Sequence, residues 1–361
     1  MKNYKVCVYA ICKNEEKFVK RWYDSMKEAD KIIVLDTGST DNTVNLLKEC
    51  GAEVYVKKIE PWRFDVARNE SLKLIPEEFE ICVCTDLDEV FDKGWKSILL
   101  DNWKNDTTRM RYKYNWSFDE YGNPGTSFYL NKIHLRNNYK WTHPVHEVLT
   151  SLKEEKEDIA HNIILNHYPD KLKSRKSYLP LLELSVKEDP LDDRNMHYLG
   201  REYMYYCNWD KCIDTLKKHL SLENATWKDE RAASMRFIAR SYKSKNEIEL
   251  AKNWYLKAID EAPYLREAYV EYAYLLYEEK NYNDAYYFLK KALEIKEKSN
   301  SYINEEFAWN GFIYDMVSIC AFNLCYYEEA LVNVKKAIEL DKNNLRLKLN
   351  LEEMEKYVNK K

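Results

Sequence analysis

The stretch Ile81-Cys82-Val83-Cys84-Thr85-Asp86-Leu87-Asp88-Glu89 decides how the chain is read. Its first four residues are small or apolar and rich in β-formers, the pattern of a short buried strand, and carboxylates crowd the end of that strand. If the chain stays extended past Thr85, the two-residue period puts Asp86 and Asp88 on one side and Leu87 on the other. Two carboxylates facing one small volume repel, and a divalent cation relieves the repulsion. Hard oxygen ligands suit Mg2+ or Mn2+ better than zinc, and a diphosphate is the natural third party. In open α/β sheets ligands bind beyond the carboxyl ends of the strands, which is where this Asp-x-Asp lies. A solvated acidic turn would read the same way, so the flanking sequence has to decide.

Upstream, strand and helix patterns alternate: Val6–Cys12 strand, Glu16–Glu28 helix, Lys31–Leu35 strand, Asp41–Cys50 helix, Glu53–Lys57 strand, then Phe64–Leu74 helix. Such alternation predicts a mostly parallel sheet covered by helices. Between about 104 and 150 the texture becomes aromatic and hairpin-like around Tyr121-Gly122-Asn123-Pro124-Gly125, predicting a mixed β region that closes over the strand ends. Tyr114, Trp116, Phe118, Phe128, Tyr129 and Trp141 read either as hairpin core or as stacking platforms for an acceptor.

From about Leu172 the β signal vanishes and a repeat appears. Leu199-Gly200, Tyr203, Cys212, Leu216 and His219 recur as Ala239, Tyr242, Ala251, Tyr255 and Ala258. They recur again as Ala273, Leu276, Ala285, Leu289 and Ala292, and as Ser318, Ala321, Ala330, Val334 and Ala337. The step from Ala251 to Ala285 matches a repeat of roughly 34 residues, and the other intervals are longer. Small residues at these offsets let two antiparallel helices approach while Tyr and Leu fill between them, and units of this kind must stack to bury their apolar faces. Residues 193–340 resemble the tetratricopeptide family, departing from it at Cys212 and His219, with Leu345–Val358 expected as the capping helix. An irregular helical bundle is the plainer alternative.

With 361 residues, two domains are expected, at 1–172 and 173–361. Lys+Arg 57 against Asp+Glu 61 gives a net charge of −4 without basic or acidic blocks, which argues against nucleic acid and anionic membranes as partners. Nine cysteines with no C-x-x-C predict reduced thiols in a cytoplasmic protein. The apolar run Val6–Cys12 is too short for a signal peptide and is followed by Lys13-Asn14-Glu15-Glu16, and no segment is long enough to span a bilayer.

Four stretches in order, Ala10-Ile11-Cys12-Lys13-Asn14-Glu15-Glu16, Val34-Leu35-Asp36-Thr37-Gly38-Ser39-Thr40-Asp41, Ala67-Arg68-Asn69-Glu70-Ser71-Leu72 and Thr85-Asp86-Leu87-Asp88-Glu89, resemble family-two inverting glycosyltransferases of the GT-A fold. The resemblance implies an α/β GT-A, Rossmann-like nucleotide-sugar domain followed by an all-α tetratricopeptide-repeat solenoid. It implies a UDP-sugar donor, a Mn2+ or Mg2+ cofactor and transfer of a hexose to a hydroxyl or thiol, with a peptide or protein acceptor held by the repeats. A homo-oligomer is compatible with the sequence.

The same resemblance assigns roles. Asp36 reads as a cap of the turn Gly38-Ser39-Thr40 or as a strand-end carboxylate that accepts from an imide; the resemblance implies that it binds uracil. Asn14 and Glu15 read as helix caps or nucleotide contacts, and the resemblance implies contacts. For Arg68 it implies a base or phosphate contact where the residues alone allow an ion pair; Asn69 reads as local structure. Asp86 is expected to meet the ribose and, through the cation, the diphosphate, with Asp88 as the direct metal ligand.

An inverting displacement needs a base on the face opposite the leaving diphosphate. Glu147, in Trp141-Thr142-His143-Pro144-Val145-His146-Glu147-Val148-Leu149, is the expected base. His167, in Ile164-Leu165-Asn166-His167-Tyr168, is expected to complete the metal shell, with His146 as the competing ligand. His146-Glu147 is no zinc-protease motif, because Thr150 stands where the second histidine belongs. Two rival readings remain: a non-catalytic sugar-nucleotide-binding scaffold acting through its repeats, and a nucleotidyltransferase. The second fits worse, because no Gly-rich, Lys-containing phosphate loop follows the first strand.

Overall fold

A computed structural model describes residues 4–119, 122–170, 175–299 and 301–358. The chain divides into two compact units, Met1–Glu188 and Asp189–Lys361. The boundary expected at 172/173 lies outside the described residues, as does Tyr121 of the expected hairpin turn.

In the first unit β1 (Val6–Cys12), α1 (Glu16–Met26), β2 (Lys31–Asp36), α2 (Thr43–Cys50), β3 (Glu53–Val56), α3 (Phe64–Lys73) and β4 (Ile81–Cys84) follow the strand–helix alternation. Then come β5 (Glu89–Phe91), α4 (Trp95–Asn102), β6 (Arg109–Asn115), β7 (Ser127–Leu135), β8 (Tyr139–Thr142), β9 (Val148–Ser151), β10 (Glu157–His167) and α5 (Tyr178–Glu188). One eight-stranded sheet has the order β3-β2-β1-β4-β7-β6-β10-β5, and β8 and β9 form a separate hairpin. Strands β3, β2, β1 and β4 are parallel, and β7 joins β4 antiparallel.

The period of two separates the faces of β4. Ile81 and Val83 pack with Trp22, Met26 and Leu99 on one side, and Cys82 and Cys84 pack with Tyr9, Leu72 and Trp141 on the other. Burial pushes the Cys84 thiol up to about 11 despite the neighbouring Arg68, so it serves as a small hydrophobe. Trp22 is fully buried and donates from Nε1 to Thr85 Oγ1 at 3.0 Å, tying α1 to the segment that leaves β4. Helix α5 belongs to this unit because Tyr178 packs on Phe64 and Glu188 pairs with Arg63.

The second unit is helical: α6 (Asp193–Tyr205) pairs with α7 (Trp209–Ser221), α8 (Lys228–Ser244) with α9 (Ile248–Glu261), α10 (Arg266–Glu278) with α11 (Tyr282–Glu294), and α12 (Gly311–Asn323) with α13 (Tyr327–Leu340). Helix α14 (Leu345–Val358) packs on α13 as the expected cap. The small residues at the repeat offsets are buried where the helices meet. At Gly200 an added Cβ would lie 2.3 Å from Leu216 Cδ2, so glycine is what allows α6 and α7 to close. Each hairpin turns through a left-handed residue, in order Cys207, Asn246, Lys280 and Cys325. These stacked hairpins make the unit a tetratricopeptide-repeat solenoid. Among the described residues no helix is long and apolar enough to cross a membrane.

Candidate active site

The Asp-x-Asp segment does not continue the strand. Glu89 N–H donates to Asp86 O at 3.1 Å and Asp86 N–H donates to Glu89 Oε2 at 2.9 Å, so residues 86–89 close as a turn. The expectation that an extended chain aims Asp86 and Asp88 at one volume is therefore corrected. Each carboxylate has its own partners.

Asp86 Oδ1 accepts from Arg68 Nη2 at 2.8 Å, and Asp86 Oδ2 lies 3.5 Å from Lys132 Nζ. Arg68 is almost wholly buried on α3; it also donates from Nε to Glu147 Oε1 and from Nη1 to Cys84 Sγ, and its guanidinium lies 5.2 Å from the centre of the Trp141 ring. Burial opposes its charge, but Asp86, Cys84 and Glu147 hold its pKa well above the ordinary value. With these partners Arg68 forms the ion pairs that its residue type alone allows. Arg68 is an internal clamp joining Asp86 to Glu147, and Glu147 reaches the site only because the β8–β9 connection is pinned to α3. Asn69 does the pinning, donating from Nδ2 to Trp141 O at 2.8 Å and accepting from Trp141 N–H at 2.9 Å.

Asp88 meets a different partner. Its Oδ2 lies 3.4 Å from His167 Nε2, and its carbonyl accepts from Tyr168 N–H at 2.8 Å. Antiparallel pairing of β5 with β10 sets His167 opposite Glu89, which fixes this meeting. His167 Nδ1 lies 3.2 Å from Trp116 O, and the ring stacks on Trp116 at 4.4 Å. With Nδ1–H given to that carbonyl, Nε2 turns its lone pair toward a carboxylate, and two acceptors at 3.4 Å need a cation between them. A proton on Nε2 supplies one: burial pushes the imidazole pKa down, but Asp88 outweighs it and the net shift is upward. A divalent metal ion is the other candidate. The imidazole and carboxylate, with a carbonyl behind the imidazole, match a donor set that leaves further positions for water and diphosphate oxygens. Among the described residues no three His, Cys, Asp or Glu side chains gather into a larger set. Of the two candidate histidines, His167 is the one that meets Asp88; His146 lies edge-on to Tyr178.

Glu89 and Lys132 were not singled out by sequence. Glu89 is buried, accepts from Tyr114 O–H at 2.9 Å and lies 3.7 Å from Lys132 Nζ. Burial pushes its carboxyl up, and the Asp86 charge adds to that. Lys132 remains charged because Glu89 and Asp86 overcome its desolvation. Lys132, the one lysine of β7, was the available signal.

The expected nucleotide loop is built tightly. Asp36 is buried; Oδ1 accepts from Gly38 N–H and Ser39 N–H at 2.9 Å each, and Oδ2 accepts from the Ser39 hydroxyl. Its carboxylate caps the turn after β2, so an imide would have to compete for a remaining lone pair. Asn14 has a left-handed backbone, donates N–H to Ser39 Oγ at 2.8 Å and accepts on Oδ1 from Thr40 N–H at 2.7 Å. Glu15 N–H donates to Thr43 Oγ1 at 2.8 Å, and the Glu15 side chain is buried. These residues lace the loops after two adjacent parallel strands into one rim.

Residues 7–158 match the family model for glycosyl transferase family 2. The first unit is a family-two glycosyltransferase domain. The transferase domain is similar to an uncharacterized glycosyltransferase of Rickettsia typhi, 44% identical over 59 residues, 16% of this chain and 19% of that protein. Over 229 residues, 58% of this chain and 52% of the relative, the sequence is 27% identical to the SPβ prophage-derived glycosyltransferase SunS of Bacillus subtilis. The chain thus spans between a fifth and about half the length of these curated relatives. Among solved structures MamA aligns at 18% identity and a TM-score of 0.37, covering 48% of this chain and 96% of MamA. The repeat assignment rests on the helical hairpins themselves.

Proposed function

We propose that the protein transfers a hexose from a UDP-sugar to a hydroxyl or thiol, with inversion and with Mn2+ or Mg2+, and that its acceptor is a peptide or protein. The observation that carries this reading is the opposed pair Asp88 Oδ2 and His167 Nε2, 3.4 Å apart and backed by the Trp116 carbonyl. Asp88 and His167 would hold the ion, which when bound supplies Lewis-acid stabilisation to the departing diphosphate.

The chain's own residues do the rest. Arg68 holds Asp86 in place at the ribose side and orients Glu147 through Oε1, which leaves Glu147 Oε2 to take the acceptor proton. As the acceptor oxygen or sulfur bonds to the anomeric carbon, the carbon–oxygen bond to the diphosphate breaks and the acceptor proton passes to Glu147. Asp36 and Asn14 shape the rim against which the uridine would lie, acting through the backbone they order. Release of UDP in the presence of Mn2+ tests the reading: it should be lost in Asp88→Ala, and full metal-dependent turnover by that variant would refute the assignment.

A further inference from the structure

Between α11 and α12 the repeat spacing is interrupted, and residues 301–310 cross the first helices of the preceding hairpins. Those first helices, α6, α8, α10 and α12, pack side by side in succession and so line the inner face of the solenoid. Tyr302 donates its hydroxyl to Glu230 Oε2 and lies against Tyr198 and Trp227. Glu305 accepts from Arg236 Nη2, and from Arg240 Nη2 at 2.8 Å. Glu267 Oε1 accepts from Glu305 N–H at 3.1 Å and from Trp309 Nε1 at 2.9 Å. Arg266 stacks on the Trp309 ring at 4.0 Å.

Residues 301–309, turns followed by the 3-10 helix Glu306–Ala308, thus occupy the face where a peptide ligand would lie. The Glu305 carboxylate is also the counter-charge that the site lacks without it: Glu271 alone would be left for Arg236 and Arg240, at 3.4 Å and 2.6 Å respectively. Burial pushes the Glu305 carboxyl up, but the two guanidinium groups overcome this and hold it below the ordinary range. The segment does not saturate the face it covers. Glu267 Oε2 is buried there and makes no hydrogen bond, and Arg236 Nε has only Glu271 at 3.4 Å. A better-fitting ligand has polar groups left to satisfy.

We propose that the inner face of α8 and α10 is a self-occupied docking groove, in which residues 301–309 form a strap that an extended acidic peptide displaces by placing a carboxylate on Arg236 and Arg240. The strap buries Ile303 and Ala308, but its grip on α8 is through the Tyr302 hydroxyl and the Glu305 carboxylate, contacts that an incoming peptide can reproduce. The groove's apparent affinity is then its intrinsic affinity multiplied by the fraction of chains with the strap open. This proposal is independent of the donor chemistry in the first unit.

The test uses the full chain and a fluorescein-labelled peptide copying residues 301–309. Glu305→Ala combined with Tyr302→Phe should bind the probe about tenfold or more tightly than the unaltered chain. Adding Arg240→Ala should remove that gain, and a probe with Gln at the position of Glu305 should not bind. No gain on loosening the strap, or equal binding of the two probes, would overturn the proposal. Hydrogen exchange on the unaltered chain keeps the test open if the double variant fails to fold. Amides of 301–309 should exchange faster than those of α8 and α10, and faster still at saturating acidic probe. Strap protection equal to that of the helices and indifferent to the probe would contradict it.

Discussion

Arg68 Nη2 donates to Asp86 Oδ1 at 2.8 Å, from a side chain almost closed to solvent on α3 to the first carboxylate after β4. The same guanidinium grips Glu147 through Nε, so one buried cation sets the positions of two groups that lie 61 residues apart in sequence. Replacing it takes that guanidinium from both carboxylates and leaves Asp86 with Lys132 at 3.5 Å.

Arg68→Met should therefore destabilise the transferase domain by about 3–5 kcal/mol, the usual cost of breaking one side of a buried pair. Urea denaturation measures this directly. An unchanged midpoint would mean that the clamp is not what orders Asp86 and Glu147.

Glu147→Gln keeps an oxygen for Arg68 to hold but cannot accept the acceptor's proton. Donor binding should survive while transfer falls by about 10²-fold or more. A variant that transfers sugar at the parental rate would remove Glu147 from the mechanism.

Acid should weaken both units. Burial holds the His134 imidazole down at about 4 and the His197 imidazole down at about 3. Below the ordinary imidazole value of about 6.5 the unfolded chain takes up protons that the folded chain refuses. Stability is therefore full near neutral pH, falls as the pH drops through that window, and stops falling from this cause below the folded values. The melting temperature should drop between about pH 7 and pH 5; a flat profile would contradict the neutral buried state of both rings.

Lys280 closes the α10–α11 turn at a φ of 62°, a conformation that costs an L side chain and suits glycine. Its N–H donates to Tyr277 O at 2.9 Å and its side chain is exposed, so nothing but the backbone is at stake. Lys280→Gly should stabilise the repeat unit by about 0.5–1 kcal/mol. A lower midpoint in denaturant would show that the lysine side chain contributes there.

The local patterns were legible where burial repeats with the period of the element. Val6–Cys12 and Phe64–Lys73 appear close to where alternation and spacing place them, and the small residues from Ala239 to Ala337 mark the helix contacts. The active-site partners were harder to read, because pairing between distant strands makes them. Nothing local announces that β10 returns beside β5 to set His167 opposite Glu89, or that Lys132 of β7 meets Asp86. The turn at 86–89 was hidden for the same reason: a buried Glu89 that bonds back to Asp86 looks in sequence like one more strand-end carboxylate. Asp36 was legible locally: its carboxylate caps the turn after its own strand, as the sequence Gly38-Ser39-Thr40 allows.

The most direct measurement is thermal stability of the full chain with UDP-glucose, UDP-N-acetylglucosamine and a GDP-sugar, each with and without Mn2+, for the parent and for His167→Ala. A ligand that binds only the folded state raises the melting temperature. One UDP-sugar should stabilise the parent only when Mn2+ is present, and His167→Ala should lose that increment, measured against its own melting temperature without ligands. Stabilisation that ignores Mn2+, or that survives in His167→Ala, would contradict a metal held between Asp88 and His167.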